Sequence, residues 1–485
     1  MDSRPVNSVE LRIDHKLFEQ IHSHLFPGDG DEHGGVLLTG IAESRNSCRL
    51  LVREFIPAID GIDYVAGEYG YRALTPEFVA RLSDRAQTEK LCYFALHCHP
   101  GKSTSVKFSD VDIDSQKRGY PALLEINEGR PVGAIVMTEN AIAGNIWRVN
   151  GQHLISHTTI IGPQIREVYP SPPETSLDTD PIYDRNIRLI GEHGQAILSN
   201  LKIGIVGLGG AGSLLSEWLS KLGVGHIIGI DFDKVEATNL PRIVGATHRD
   251  AMKWLTSSRW KFVRRIGKLF SSYKVAVARR VARKGNPKIR YDTIVGDVCD
   301  QNVADLLTDA DFIFLASDTM QSRLVCNAIF HQFLIPGMQV GAKVGKETET
   351  DEISNIFTAS RPILPLAGGG CLKCNNLIIS HRLQNEAEDG EERERQNYAD
   401  PEKVPVPSVI TLNALASAQA ANDFLMMFTG LFHDATQLNH LMQFVQERSI
   451  ESVESTNNPD CLFCGNHNKS RRARGDGSRL PCKMP

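Results

Sequence analysis

Two stretches of this sequence carry residues in patterns that suit chemistry. In ALHCHPGKSTSVKFSDVD, from Ala95 to Asp112, His97 and His99 stand two apart on a strand-like run. Strand side chains alternate faces, so both imidazoles share one face and Cys98 takes the other. Two histidines on one face make half of a zinc site. Ser109-Asp110-Val111-Asp112 reads as a helix start with Ser109 near the cap. Asp112 is placed to turn back as a third, oxygen ligand, with Asp110 and Asp114 as competing carboxylates. Three protein ligands leave a fourth position for water, as in catalytic zinc sites, and zinc lowers the pKa of that water. A base must still move its proton. Glu32, in DEHGGVLLTG just before a glycine pair and a strand, is the candidate, and the Ser109 hydroxyl would steady an oxyanion.

The second stretch is IGIVGLGGAGS, Ile203 to Ser213. Gly207, Gly209 and Gly212 follow a strand and open a helix, a context that suits backbone contact with phosphates. Asp231, at the end of the next strand, suits a ribose hydroxyl. These features alone fit a nicotinamide-dependent dehydrogenase equally well. The rest of the half decides against it: Asp231, Asp233, Asn239 and Arg242 lie in DFDKVEATNLPR, Lys274 follows, and Asp318 comes with Arg323 five residues on. An adenylating enzyme needs such a set, cations to steady a triphosphate and a carboxylate to hold Mg²⁺, so ATP and Mg²⁺ are the expected cofactors. Cys371, Cys374, Cys461 and Cys464 form two Cys-x-x-Cys pairs. Four thiolates make a closed, structural zinc site rather than a catalytic one.

The elements that must position these groups follow from composition and pattern. The chain has 485 residues, 41% hydrophobic and 23% charged, enough for several domains with their own cores. A net charge of −5 argues against a nucleic-acid-coating protein. The most apolar run, VITLNALASAQAANDFLMMFTGLF, is interrupted by Asn413, Gln419, Asn422 and Asp423 and reads as a buried helix, so no membrane span is expected. The start lacks a signal-peptide core, which makes a cytoplasmic location the expectation, and ten cysteines there point to metal ligands or thiols rather than disulfides. Short strand-like runs around helical segments predict an α+β domain over 1–160, followed by a linker over 161–181 that includes the proline-rich YPSPPETSLDTDP. Regular strand–helix alternation then predicts a doubly wound, mostly parallel α/β domain over 182–466. NEAEDGEERERQNYADPEKVPVP reads as a charged loop inside it, and 467–485 as a disordered tail with a solvated basic run.

The first constellation resembles the JAB/JAMM (MPN) metalloprotease family: a glutamate before Gly-Gly-x-Leu-x-Gly, then His-x-His-Pro, then Ser-x-x-Asp. Asp112 fits that last spacing. The resemblance implies hydrolysis of the bond after the C-terminal glycine of a ubiquitin-like protein. The second half resembles the ThiF/MoeB family of ubiquitin-activating enzymes, opening on IYDRNIRLIGEHGQAILSNLKIGIVG. This implies a Rossmann-like fold in which Asp231 binds ribose, Arg242 and Lys274 the phosphates and Asp318 magnesium, with Asn239 arranging the nucleotide. Arg185 would reach the ATP of a partner subunit, which makes a homodimer the expected state.

Two departures stand out. Ubiquitin activators pass the adenylated tail to a cysteine between the two Cys pairs, and this chain has no cysteine from 375 to 460. The tail would then pass directly to another protein or to a hydroxyl. An insertion between Arg242 and Lys274 carries Arg249, Lys253, Arg259, Lys261, Arg264, Arg265 and Lys268 among Trp254, Trp260, Phe262 and Phe270. It reads as a helix packed on its own domain, or as a docking surface for an acidic partner or a lid over ATP. Together the resemblances imply a bifunctional activating enzyme and deconjugating peptidase in a prokaryotic-type ubiquitin-like system. Such systems often include a separate conjugating enzyme, and some serve antiviral defence. The alternatives are sulfur-carrier activation through a thiocarboxylate, and a scaffold with an inactive peptidase half.

Overall fold

A computed structural model describes residues 8–44, 47–65, 73–173, 180–346, 353–387, 407–433 and 436–483. Residues 388–406, most of the charged loop expected from the sequence, lie outside the described residues. The first half is one nine-stranded mixed sheet. Its strands are β1 (Ser8–Asp14), β2 (Gly34–Glu43), β3 (Ser47–Pro57), β4 (Cys92–Cys98), β5 (Val132–Met137), β6 (Ile142–Arg148), β7 (Gly151–Leu154), β8 (His157–Ile161) and β9 (Arg166–Val168), in the order β7-β6-β5-β4-β2-β3-β1-β8-β9. Apolar residues on alternating faces give it two cores. Leu17, Ile21 and Leu25 of α1 (His15–Leu25) fill one face. Phe78, Leu82 and Ala86 of α2 (Pro76–Glu89) and Tyr120 of α3 (Asp110–Ile126) fill the other. Because β9 pairs with β8, Thr158 opposite Val168, the sheet extends past the boundary at 160 that the sequence suggested.

The second half is an eight-stranded sheet. It contains β10 (Lys202–Val206), β11 (His226–Ile230), β12 (Arg290–Ile294), β13 (Phe312–Leu315), β14 (Gly337–Lys346), β15 (Ile353–Ile363), β16 (His440–Phe444) and β17 (Ser449–Val453), ordered β12-β11-β10-β13-β14-β15-β16-β17. The strands from β12 to β14 pair in parallel, as alternation predicts, and the remaining three add antiparallel. The helix Ile410–Thr429 forms where the apolar run stood and packs on the domain core through Phe424 and Phe428. No helix among the described residues is long and apolar enough to cross a membrane.

The last residues correct the expectation of a disordered tail. Rather than being solvated, the basic run is threaded between the two sheets, because its arginines find buried acceptors there. Arg472 is 1% exposed and pairs with Asp14 at 2.8 Å. It also donates to the Arg53 carbonyl at 2.7 Å, while Arg53 donates back to the carbonyls of Arg472 and His467. Asp476 accepts the Glu43 N–H at 2.7 Å, and Gln332 donates to the carbonyls of Gly475 and Ser478. The segment thus bonds to both halves at once.

A second contact joins the halves directly. Asp311 accepts from Arg12 at 3.0 Å and Arg49 at 2.6 Å, and both arginines also hold Glu10, at 2.7 and 2.9 Å. Burial alone would raise the Glu10 carboxyl, but Arg12 and Arg49, with His157 and the Thr159 hydroxyl, hold it well below the usual carboxylate range. A depressed folded-state pKa gives stability that is present above the unfolded value of about 4.3 and drains away as pH falls below it. Thermal melts from pH 7 to pH 3 should therefore show a falling Tm below about pH 4.5, with a shallower fall in Glu10→Gln. Equal slopes in the two proteins would remove Glu10 from that account.

Candidate functional site

The first cluster is built on β4 and the start of α3. His97 and His99 alternate with Cys98, so both rings stand on one face, 5.2 Å apart. Asp112 comes back from the first turn of α3, its Oδ2 3.5 Å from His97 Nε2 and 3.8 Å from His99 Nε2. One ligand atom from each of the three lies within 4.8 Å of the others. His97 Nε2 is buried without a hydrogen-bond partner, which suits a nitrogen kept for a metal. Two imidazoles and a carboxylate are a donor set that zinc accepts. Asp114 instead faces Lys117 at 3.8 Å, and Asp110 is exposed.

Ser109 does something other than the expected oxyanion contact. It caps α3 in a reciprocal box: its hydroxyl donates to Asp112 Oδ2 at 2.7 Å, its N–H donates to the same oxygen at 2.8 Å, and the Asp112 N–H returns to Ser109 Oγ at 3.2 Å. The hydroxyl proton is therefore spent on positioning Asp112. Burial would raise the Asp112 carboxyl, but His97 and these Ser109 contacts hold it well below its ordinary value. His99 is shifted down, by burial first and then by His97.

Glu32 lies two residues before Gly34, which pairs with His97 across the β2–β4 ladder. That register sets the glutamate at the mouth of the histidine strand. Burial, and Asp112 after it, push its carboxyl up, with His97 opposing. A raised carboxyl suits a base that works near neutral pH. Cys98 and Tyr64 hold this turn. The Cys98 N–H donates to the His33 carbonyl at 2.9 Å and the His33 N–H to Cys98 Sγ at 3.1 Å, and Tyr64 Oη accepts the Gly34 N–H at 2.8 Å. Strand alternation already turned Cys98 away from the histidines; nothing local signals Tyr64.

The second cluster sits where β10 lies between β11 and β13, the crevice at the C-terminal ends of a parallel sheet. Gly207 has φ +88°, and a Cβ there would lie 2.9 Å from the Ser317 nitrogen in the loop after β13. At Gly212 a Cβ would lie 1.9 Å from the Gly207 carbonyl oxygen. The glycine loop can fold onto the start of α5 (Gly210–Lys221) only without those side chains. Asp231 is buried, and its carboxylate accepts the N–H groups of Leu208 at 2.7 Å and Asp233 at 2.8 Å. Burial pushes that carboxyl up, against Lys274 and the two N–H groups. Lys274, the first residue of α8 (Lys274–Gly285), reaches Asp233 at 2.6 Å and Asp231 at 3.8 Å. Buried Asn239 accepts the Glu236 N–H at 3.1 Å, and the Arg242 N–H bonds the Asn239 carbonyl at 3.0 Å.

Asp318 is exposed in the loop after β13, one residue beyond the Ser317 that faces Gly207. Arg323, five residues on, donates to the Leu377 carbonyl at 3.0 Å. Arg185 stands exposed near the start of α4 (Asp184–Asn200). The four cysteines converge, with Sγ–Sγ distances of 3.6 Å for Cys371–Cys374, 3.7 Å for Cys371–Cys461 and 3.6 Å for Cys374–Cys464. Tetrahedral Zn–S bonds of about 2.3 Å put sulfurs about 3.8 Å apart, so the cluster is already of that size. Metal analysis should find zinc that Cys461→Ser loses, and its loss should lower the melting temperature by several degrees. Zinc content unchanged in that variant would count against the four-thiolate site.

A glycine loop at the switch point of a parallel sheet, closed by a buried aspartate and a lysine, defines a nucleotide-binding α/β protein. Comparison narrows the class. Residues 183–463, more than half of the chain, match the ThiF family, and the chain belongs to that family. It is 31% identical over 285 residues to the molybdopterin-synthase adenylyltransferase of Escherichia coli (strain K12), covering 58% of this chain and 95% of that protein. It is 31% identical over 189 residues to the sulfur carrier protein ThiS adenylyltransferase of Bacillus subtilis (strain 168), covering 38% of this chain and 50% of that one. The chain thus spans half the length of this second curated relative. Among solved structures it is similar to E. coli MccB with ATP, at 21% identity and a TM-score of 0.42, covering 60% of this chain and 76% of that one. Membership of that family fits the Rossmann-like α/β sheet of the second half.

Proposed function

We propose that this chain acts at two sites on the glycine tail of a ubiquitin-like protein. Residues 182–466 adenylate the tail. A carboxylate oxygen of the terminal glycine attacks the α-phosphorus of ATP, a new P–O bond forms, the bond to the β-phosphate bridge oxygen breaks, and pyrophosphate leaves. The backbone at Gly207, Gly209 and Gly212 receives phosphates, as the start of a helix does. Asp231 holds the ribose, with Asp233 and Asn239 shaping the loop. Arg242 and Lys274 stabilise the phosphates, and Asp318 would hold Mg²⁺. Arg185 reaches the ATP of a second copy in a homodimer. The observation that carries this reading is the ThiF match over a region whose loop, carboxylate and lysine converge at the switch point.

We also propose that 1–160 is a zinc peptidase of the JAB/JAMM type. His97, His99 and Asp112 would hold the metal, which supplies Lewis acidity. Glu32 takes a proton from the attacking water onto its carboxylate and returns it to the leaving amine. Ser109 keeps Asp112 in place. The convergence of these side chains speaks against an inactive scaffold. A sulfur-carrier substrate is the second reading, favoured by the similarity to a sulfur carrier protein ThiS adenylyltransferase and a molybdopterin-synthase adenylyltransferase. In the first reading a separate conjugating enzyme takes over the tail.

The test is ATP–pyrophosphate exchange with purified ubiquitin-like and ThiS-type proteins that end in glycine. Exchange should appear with at least one carrier and fall by about 10²-fold or more in Asp318→Ala. Exchange at the unmodified rate in that variant would remove Asp318 from magnesium binding.

A further inference from the structure

The insertion before Lys274 forms two helices, α6 (Lys253–Thr256) and α7 (Lys261–Phe270), and the contact between them explains one buried position. Gly267 meets α6 so closely that a Cβ would lie 2.8 Å from Leu255 Cβ and 2.9 Å from the Thr256 nitrogen. Gly267 is the only buried residue of α7. Phe262, Ile266, Leu269 and Phe270, at i, i+4, i+7 and i+8, form an apolar face that, apart from the half-buried Ile266, the described residues leave exposed. Phe262 is 74% exposed, Leu269 67% and Phe270 63%, and Trp254 and Trp260 beside them are 60% and 63% exposed. Arg265 and Lys261 flank one edge of that face, with Lys268 and Arg264 further round the helix. Across 248–273 there are seven Lys and Arg side chains and one acid, Asp250, and that acid is buried against Arg280 at 2.8 Å. Arg280 also lines an open cleft of about 520 Å³ with Arg279, Arg283 and Lys284. A strongly cationic, aromatic surface thus stands out on a chain whose net charge is −5.

This surface adjoins the loop after β11 that carries Asp231 and Asp233. Lys234 donates to the Leu269 carbonyl and lies over the Tyr273 ring, Lys268 faces Glu236 at 3.6 Å, and the Val235 N–H bonds the Ser272 carbonyl at 2.8 Å. The cysteines of the chain meanwhile offer no ready acyl acceptor. Four cysteines form the thiolate cluster, Cys48, Cys92, Cys98, Cys299 and Cys326 are buried, and Cys482 is half-buried. A thiol acceptor must therefore come from another molecule and arrive beside the nucleotide.

We propose that α6 and α7 form the docking surface for the acyl-accepting protein, which presents an acidic segment with an apolar face. The inference rests on the adenylation reading above. Charge selects this occupant. A second copy packed symmetrically on the face would set one cationic arc against another, whereas an acidic helix satisfies the cations and covers the aromatic side chains together. On transfer, the acceptor's thiolate or alkoxide attacks the acyl carbon of the adenylate. The bond to the acceptor forms, the bond to the phosphate oxygen breaks, AMP leaves, and the acceptor's proton passes to solvent.

The probe is a fluorescein-labelled 18-residue amphipathic peptide with glutamates on one face and leucines on the other, with a lysine-for-glutamate control. The acidic peptide should bind the intact protein at least about 10-fold more tightly than the control, and Phe262→Ser with Leu269→Ser should erase that preference. Lys261→Glu with Arg265→Glu should favour the lysine peptide instead. With the carrier that supports exchange, a cysteine-ended acidic peptide should take the acyl group at least about 10-fold faster than a cysteine-ended lysine peptide, as mass spectrometry of the thioester reads. No preference, equal transfer to both peptides, selective retention on phosphatidylglycerol vesicles, or a dimer that Phe262→Ser dissolves would each overturn the proposal. Pyrophosphate exchange should persist in all four substituted positions, so loss of exchange alone would point to the adenylation reading instead.

Discussion

Glu32→Ala should slow cleavage of a ubiquitin-like conjugate by about 10²- to 10⁴-fold, the usual worth of a positioned base, and leave pyrophosphate exchange at the unmodified rate. The separation follows from placement. Glu32 belongs to the turn before β2 and the nucleotide loop to the turn after β10, in different sheets. The turn itself should survive the substitution, because it is held through the backbone of His33 and Gly34 by Cys98 and Tyr64. In a reconstituted reaction the variant should accumulate higher-mass conjugates that the unmodified enzyme erases. Equal cleavage of a purified conjugate by the two proteins would end the peptidase reading and leave the adenylation reading standing.

Arg472→Ala should lower the unfolding free energy by about 3–5 kcal/mol, because it leaves a buried carboxylate without its partner. Asp14 is fully buried and has two duties: its Oδ1 accepts the Leu17 N–H at 3.0 Å to cap α1, and its Oδ2 takes Arg472. Arg472→Leu with Asp14→Asn should recover part of the loss, since no charge then stays uncompensated. Chemical denaturation reads both. A loss under about 1 kcal/mol in Arg472→Ala would show that the arginine is not anchored as described.

Much of the arrangement was legible because it is local. Two histidines two apart on a strand must share a face, and a serine three residues before an aspartate makes the reciprocal cap that swings Asp112 toward them. The glycine spacing and strand–helix alternation likewise carry the parallel sheet. What escaped was non-local. A basic, glycine-rich segment looks solvated until acceptors over 400 residues away are known, as with Arg53 and Arg472. Amphipathic spacing marked α7 as a helix, but periodicity cannot say whether the apolar face finds a cover. The antiparallel strands β15 to β17 fall outside the regular strand–helix alternation and gave no signal of which edge they extend.

The threaded segment also sets an order of events during synthesis. Asp14 and Arg472 are 458 residues apart, so a ribosome adding about 5–20 residues per second makes the arginine roughly 20–90 s after the aspartate. Through that interval the first sheet exists without the counter-ion for its most buried carboxylate, and Arg12 and Arg49 wait for Asp311 as well. Nascent chains stalled before residue 472 should therefore be protease-sensitive at the face of β1 and β3, and the two halves mature together rather than as beads released one after the other.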